Sequence, residues 1–137
     1  MRRSRYMLVA LVFAALLLLI GCSEQNGRLL LVGVHGSKDT VSFNTDQAIK
    51  DPESINIFKS IIEGGTRVNN KPAETTHDAD YTVVVNNEKG STMEIGVYLW
   101  LMEDGTFLMA RGFLEGSEYV RVDRADSDRL KELLPLE

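Results

Sequence analysis

The residues best suited to chemistry in this sequence are two histidines and the carboxylates near one of them. The stretch His77-Asp78-Ala79-Asp80 holds three side chains of types that bind metal ions. On an extended chain the two aspartates point the same way and His77 points the other way. We therefore interpret this stretch as a solvated loop that leads into a strand. His35 is distant in the sequence, and we predict no metal site and no cofactor.

Other patterns that carry catalysis are missing from the sequence. It has no Gly-x-Ser-x-Gly motif, and its one cysteine, Cys22, lies near the N-terminus. Gly33-Val34-His35-Gly36 lacks the third glycine and the following helix of a phosphate-binding loop. Glu103-Asp104 has the residue types of half a glycosidase pair, but it lies in a predicted tight turn. Helix N-terminal charges explain Asp123, Asp126 and Asp128. We expect no enzyme, with an unrecognised hydrolase as the least favoured alternative.

The N-terminal segment has the pattern of an export signal. Three arginines precede an unbroken apolar run of 15 residues, from Tyr6 to Ile20. As a helix, this run would span ~22 Å, which is short of the ~30 Å hydrocarbon core of a bilayer. A basic start, a short apolar stretch and a small residue before the cut are typical of a secretory signal peptide.

The apolar run ends in Leu19-Ile20-Gly21-Cys22, which resembles the lipobox of bacterial lipoproteins. The resemblance implies a diacylglyceryl group on the Cys22 thiol and signal peptidase cleavage between Gly21 and Cys22. It also implies a protein anchored by lipid to the cell membrane and facing outside the cytoplasm. In a Gram-negative cell, Ser23 would resemble an outer-membrane sorting signal, so inner and outer membranes both stay open. The implied organisation is a signal peptide over 1–21, a lipidated tether over 22–28 and one domain over 29–137.

Removal of the signal peptide changes the charge of the chain. It leaves 116 of the 137 residues and, since it takes three arginines and no acidic residue, it moves the net charge from −5 to −8. Such a domain is repelled by anionic lipid headgroups and lacks the basic stripe of a nucleic-acid binder. We expect a domain held beside the membrane by its lipid, with no nucleic-acid partner. No internal disulfide can form, so the hydrophobic core has to stabilise the fold.

The hydrophobic pattern predicts an α+β domain with a mostly antiparallel sheet. A helix over 52–63, capped by Asp51, carries a wide apolar stripe, and a second helix follows Asp123. Strands are predicted over 29–34, 40–43, 81–86, 92–102, 107–113 and 118–122. The last four strands form a meander. The polar connection from Thr66 to Asp80 is left unassigned.

The hairpin around Asp104-Gly105 gives a prediction about the two faces of the sheet. A two-residue type I′ turn there pairs Leu101 with Leu108 and Trp100 with Met109. Both faces then carry apolar residues, whereas a sheet with one wet face alternates apolar and polar ones. Either helices cover both faces, or one face is left for a partner or ligand. The candidate interaction surface consists of Tyr98, Trp100, Met102, Phe107 and Met109.

Several features together resemble the small Bacillus-type lipoproteins of the YhfM-like group. They are the lipobox, Asp80-Tyr81 at a strand start, the Tyr98-Leu99-Trp100-Leu101 strand with its Asp-Gly turn, and the closing Leu130-x-x-Leu133-Leu134 helix. That group has no established activity, so the resemblance implies a location and no catalytic residue. We expect a lipid-anchored binding or interaction module of the cell envelope, with an envelope protein as partner. The alternative is a carrier of a small hydrophobic ligand or peptide, with a cavity between the sheet and the Ile55–Ile62 helix.

Overall fold

The computed structural model describes residues 27–37, 40–112 and 117–136. They form one open antiparallel sheet of seven strands with two α-helices, which confirms the predicted α+β class. The predicted signal peptide, with Gly21, and the lipid site Cys22 lie outside these residues. Within the described ranges, no helix has both the length and the apolar character needed to cross a membrane.

The strands and helices follow one another along the chain in the predicted order, with one short additional strand. The strands are β1 (Arg28–His35), β2 (Val41–Phe43), β3 (Thr66–Val68), β4 (Tyr81–Asn87), β5 (Thr92–Leu101), β6 (Phe107–Arg111) and β7 (Glu118–Arg121). The helices are α1 (Pro52–Gly64) and α2 (Arg124–Leu133). The order across the sheet is β2-β1-β4-β5-β6-β7-β3, so β4 to β7 form the predicted meander. The strand β3, from the unassigned connection, is the addition.

Both helices begin at the predicted caps. The Asp51 carboxylate accepts hydrogen bonds from the Ser54 N–H at 3.0 Å and the Ser54 hydroxyl at 2.8 Å. The Asp123 carboxylate accepts one from the Asp126 N–H at 2.8 Å. These bonds satisfy N–H groups that the first turn of a helix leaves unpaired. Local sequence therefore decides where each helix starts.

The two helices cover one face of the sheet and form the main core with it. The helical residues buried there are Ile55, Phe58, Ile61, Ile62 and Leu130. They pack against alternate strand residues, among them Leu30, Val83, Val97, Leu99 and Val120. Side chains therefore fill the layer between the sheet and α1, as is usual for protein interiors. Packed side chains thus occupy the layer in which the ligand-carrier alternative expected a cavity.

The predicted register of the β5–β6 hairpin is wrong by one residue. Leu101 pairs with Phe107 and not with Leu108. The loop has three residues, since the Gly105 N–H donates to the Met102 carbonyl and the Met102 N–H donates to the Thr106 carbonyl, each at 2.9 Å. Gly105 has φ of 80°. This is a type I turn followed by a left-handed glycine, a common alternative to the two-residue turn.

The register shift moves every β6 side chain to the other face, because side chains alternate along a strand. Phe107 and Met109 lie in the helix-side core, each 1% exposed. They are therefore not neighbours of Trp100 in an interaction surface, and that part of the prediction is wrong. The β6 residues beside Trp100 are Leu108 and Ala110.

Candidate ligand site on the open face of the sheet

The sheet face opposite the helices, here called the open face, lies under the connection 69–80. The strand β3 is at one edge, so the chain has to pass β7, β6 and β5 to reach β4. At ~4.8 Å between neighbouring strands, this crossing spans ~19 Å. We call residues 69–80 the covering segment. The strand order thus explains why this long polar connection lies over a sheet face.

Hydrogen bonds fasten the covering segment to β5. The Trp100 indole Nε1–H donates to the His77 carbonyl oxygen at 3.1 Å. Three residues further along the segment, the Asp80 carboxylate accepts a hydrogen bond from the Leu101 N–H at 2.7 Å. The Asp80 N–H donates to the Leu99 carbonyl at 2.9 Å. Trp100 is consequently only 6% exposed. Its side chain therefore lies between the sheet and the covering segment.

Cross-strand pairing aligns one row of residues across the open face. From edge to edge, the row is Phe43, Gly33, Thr82, Tyr98, Ala110, Tyr119 and Val68. Near the middle of this row, the small side chain of Ala110 lies between the larger ones of Tyr98 and Tyr119. A Cβ at Gly33 would lie 2.8 Å from the Phe43 ring, so only glycine lets that edge ring lie over β1.

A pocket of about 330 Å³ lies between this row and the covering segment. The sheet contributes His35, Val41, Tyr98, Trp100, Ala110 and Tyr119, and the covering segment contributes Thr75, His77, Asp78 and Ala79, with Ser117 from the start of the β7 region. Small-molecule sites have volumes of ~300–1,000 Å³ and combine apolar or aromatic walls with a few polar groups. The pocket has this size and aromatic walls, with polar and apolar surface in similar amounts.

The aromatic side chains of the pocket contact one another at steep angles. The ring centroids of His35 and Tyr98 are 5.8 Å apart, with 64° between the ring planes. For Tyr98 and Trp100 the values are 6.2 Å and 66°, and for Trp100 and Tyr119 they are 6.4 Å and 50°. The first two contacts are edge-to-face, an arrangement that is favourable for aromatic pairs, and the third is tilted. Each ring therefore holds its neighbour in a defined orientation.

His35 is held at the pocket by the next strand. Its Nε2 lies 2.6 Å from the Thr82 hydroxyl oxygen, and Thr82 is 4% exposed. Because a hydroxyl can donate or accept, this bond suits either neutral tautomer of the imidazole. The bond fixes the ring orientation and leaves Nδ1 as the second polar atom of the imidazole.

The pocket carries little charge. Among its described lining residues, the only carboxylate is that of Asp78, and no lysine or arginine is present. Asp78 is exposed. The other acidic side chains of the covering segment have partners: Glu74 lies 3.9 Å from Arg121, and Asp80 is bonded to β5. Electrostatic attraction at this site therefore comes from one carboxylate at the pocket rim.

The structure brings together part of the predicted interaction surface. Tyr98 and Trp100 line the pocket, and Met102 packs against the same open-face cluster. Sequence reasoning treated His35 and His77 as isolated, yet both line this pocket, and it did not single out Tyr119. Side-chain alternation along β1 and β7 decides which face His35 and Tyr119 point to. The strand order is needed to know that these two strands contribute to one pocket.

The other candidate sites are explained by structural roles. In the described part of the chain, no three residues of the types His, Cys, Asp or Glu are grouped to hold a metal ion. Asp104 accepts hydrogen bonds from the Thr106 hydroxyl and N–H, at 2.6 and 2.9 Å, and these bonds lower the pKa of Asp104. Asp126 lies 3.8 Å from Arg129. Asp128 lies 3.5 Å from Lys131.

Comparison of the chain with protein-family models, curated proteins and solved structures finds no match. The residues and geometry of the open face therefore provide the grounds for a functional conclusion.

Proposed function

We propose that this chain is a lipid-anchored binding module of the bacterial cell envelope and that it binds its ligand in the open-face pocket. The observation that carries the proposal is the pocket of about 330 Å³, lined by aromatic rings and bordered on one side by the covering segment. The Cys22 lipobox supplies the anchor and the location outside the cytoplasm. The proposal assigns no catalytic step and no cofactor.

The shape of the site favours a small ligand over an extended protein partner. A stable protein interface buries about 800 Å² on each side. Trp100, the largest aromatic residue of the face, is 6% exposed and has little surface left to bury. A compact molecule, or one side chain of a peptide, fits the concave space between Tyr98 and Tyr119. This supports the ligand-carrier alternative, with the site on the open face.

A lipid on Cys22 would attach the domain at the end of β1 that lies farther from the pocket. The tether 23–28 extends at most ~20 Å. The strand β1 begins at Arg28 and reaches His35, in the pocket wall, about 23 Å further on at ~3.3 Å per residue. The pocket therefore belongs to the end of β1 that is remote from the anchor. This position favours a ligand dissolved outside the cytoplasm.

The test of binding uses Trp100, the only tryptophan of the chain, as the reporter. Protein purified from its own membranes in a non-ionic detergent is unfolded, washed free of small molecules and refolded. We expect the Trp100 emission to differ before and after this treatment, and to return when the washed-out fraction is added back. Tyr119→Ala, which opens one pocket wall, should abolish the response to the added fraction. Identical emission at every step would contradict the proposal.

The test of anchoring is separate. Cys22→Ser removes the thiol that would carry the lipid, and we expect the protein to move from the membrane fraction to the soluble fraction or to stay unprocessed. Ser117→Ala leaves the lipobox intact and should remain in the membrane fraction. Equal membrane retention of the Cys22→Ser protein after cleavage of residues 1–21 would contradict the anchor.

A further inference from the structure

The aromatic contacts of the pocket do not form a flat platform. Successive ring planes of His35, Tyr98, Trp100 and Tyr119 are inclined by 64°, 66° and 50°. These residues all line one pocket, and their rings are not coplanar there. The face of an aromatic ring carries the negative part of its quadrupole and attracts cations, including quaternary ammonium groups held by several rings.

The charges around the pocket also favour a positively charged ligand. Asp78 is the only formally charged group among the described lining residues, and it is exposed. With the signal peptide removed, the chain has a net charge of −8, which raises the local concentration of cations. An anionic ligand would find no lysine or arginine in the described wall. A neutral apolar ligand would gain nothing from Asp78.

We propose that the open-face pocket binds a small organic cation, with its ammonium group between the rings of Tyr98 and Tyr119, beside Trp100 and near the Asp78 carboxylate. This inference rests on the proposed function and names the ligand class of the same site. The ammonium group can belong to a dissolved molecule or to a zwitterionic lipid headgroup. The position of the pocket, remote from the anchor, favours the dissolved molecule.

The test compares a cation with its uncharged equivalent. Choline chloride is titrated into the full-length protein in a non-ionic detergent, at constant ionic strength, while Trp100 emission is recorded. The matched control is 3,3-dimethylbutan-1-ol, which has the shape of choline without the charge. We expect a saturable change with choline, and binding of the alcohol that is about tenfold weaker or more. Equal binding of the two compounds would overturn the cation inference and leave the binding module intact.

Variants separate the two sources of attraction. Asp78→Asn should weaken choline binding about threefold or more, whereas Glu132→Gln, at an exposed position of α2 and with the same change of net charge, should not. Tyr119→Leu should weaken choline binding more than Tyr119→Phe, since phenylalanine keeps the ring face. The alcohol should respond equally to both Tyr119 variants. Weakening by Glu132→Gln as large as that by Asp78→Asn would contradict a local role for the rim carboxylate.

The remaining outcomes show whether the cation is a dissolved molecule or a lipid headgroup. They also show whether a negative result contradicts only the ligand class or the proposed function as well. A change of Trp100 emission in phosphatidylcholine vesicles, absent both with free choline and in phosphatidylglycerol vesicles, supports the cation and assigns it to a lipid headgroup. No response to choline in either form overturns the inference. If the washed-out fraction still restores Trp100 emission, only the ligand class fails. If that fraction also has no effect, the proposed function fails with it.

Discussion

The indole N–H of Trp100 donates to the backbone carbonyl of His77, and the two atoms lie 3.1 Å apart. This bond joins a central strand to the segment that crosses the sheet from its far edge. With this bond formed, the Trp100 side chain is buried between the sheet and the covering segment. The integrity of the pocket therefore depends on both partners of the bond.

Replacement of Trp100 by phenylalanine should lower the free energy of unfolding by about 1–3 kcal/mol. The variant loses the indole donor and leaves the His77 carbonyl without its partner, and it also loses packing volume. Urea unfolding followed by circular dichroism measures the effect. His77→Ala is the control, because the accepting oxygen belongs to the backbone and stays in place. A Trp100→Phe protein as stable as the wild type would refute the role given to this bond.

Ser127 should be needed for the stability of the helix-side core. Its side chain is 0% exposed, and its oxygen accepts a hydrogen bond from the Phe107 N–H at 3.0 Å. Ser127→Ala leaves this N–H buried without an acceptor, and we expect a loss of about 1–3 kcal/mol in the free energy of unfolding. Thermal or urea unfolding measures the loss. The exposed residue Ser60 on α1 is the matched position, and Ser60→Ala should change stability by no more than about 0.5 kcal/mol.

The three-residue hairpin loop predicts a different cost for alanine at two glycines. Gly105 has φ of 80°, where an alanine is strained, so Gly105→Ala should lower the free energy of unfolding by about 1–2 kcal/mol. Gly64 ends α1 and has open space around its Cβ position, so Gly64→Ala should be neutral or slightly stabilising. Paired unfolding curves give the comparison. Equal effects of the two substitutions would argue against this loop geometry.

The cap of α1 makes the stability of the protein depend on pH in the acidic range. The hydrogen bond from the Ser54 hydroxyl, and then the one from its N–H, lowers the pKa of Asp51 below the ordinary value of 3.8. The stabilisation is complete above the ordinary pKa and is lost as the pH falls through the lowered one. Asp51→Asn can accept the cap bonds but does not titrate. We therefore expect the wild type to lose stability relative to Asp51→Asn below about pH 4.

That pH prediction is checked by unfolding both proteins in urea from pH 6 to pH 2.5. Asp104 also has a lowered pKa, but it is present in both proteins, so its contribution cancels in the difference. Parallel stability curves over this range would show that the Asp51 cap is not formed as described.

Features set by neighbouring residues could be predicted from the sequence. The start of α1 depends on Asp51, Pro52 and Ser54, which lie within four positions of one another. The hairpin at Asp104-Gly105 was predicted, but with a register wrong by one residue, because this dipeptide fits both a two-residue and a three-residue loop. Contacts from α2 accompany the observed loop: the Arg124 guanidinium and the Lys131 ammonium donate to the carbonyls of Asp104 and Gly105. The amino-acid pattern around Asp104-Gly105 does not predict those contacts, because Arg124 and Lys131 are distant in the sequence.

The pocket could not be predicted from local sequence, because its residues come from distant parts of the chain. Its wall runs from His35 on β1 to Tyr119 on β7, and its cover comes from the segment that sequence analysis left unassigned. The position of β3 at the edge beside β7 sends that segment over the open face. Trp100 and Tyr98 could be predicted as neighbours on one face because side chains alternate along a strand. Their partners followed only from the strand order.

The most direct test of a ligand-binding lipoprotein is the mass of the protein taken from its own membrane, measured first under native and then under denaturing conditions. The account predicts two additions to the chain after removal of residues 1–21. A covalent addition at Cys22 persists on denaturation, and a smaller one is released by it and is missing from Tyr119→Ala. A protein with no denaturation-sensitive addition, whose Trp100 emission is also unchanged by washing, would contradict the account.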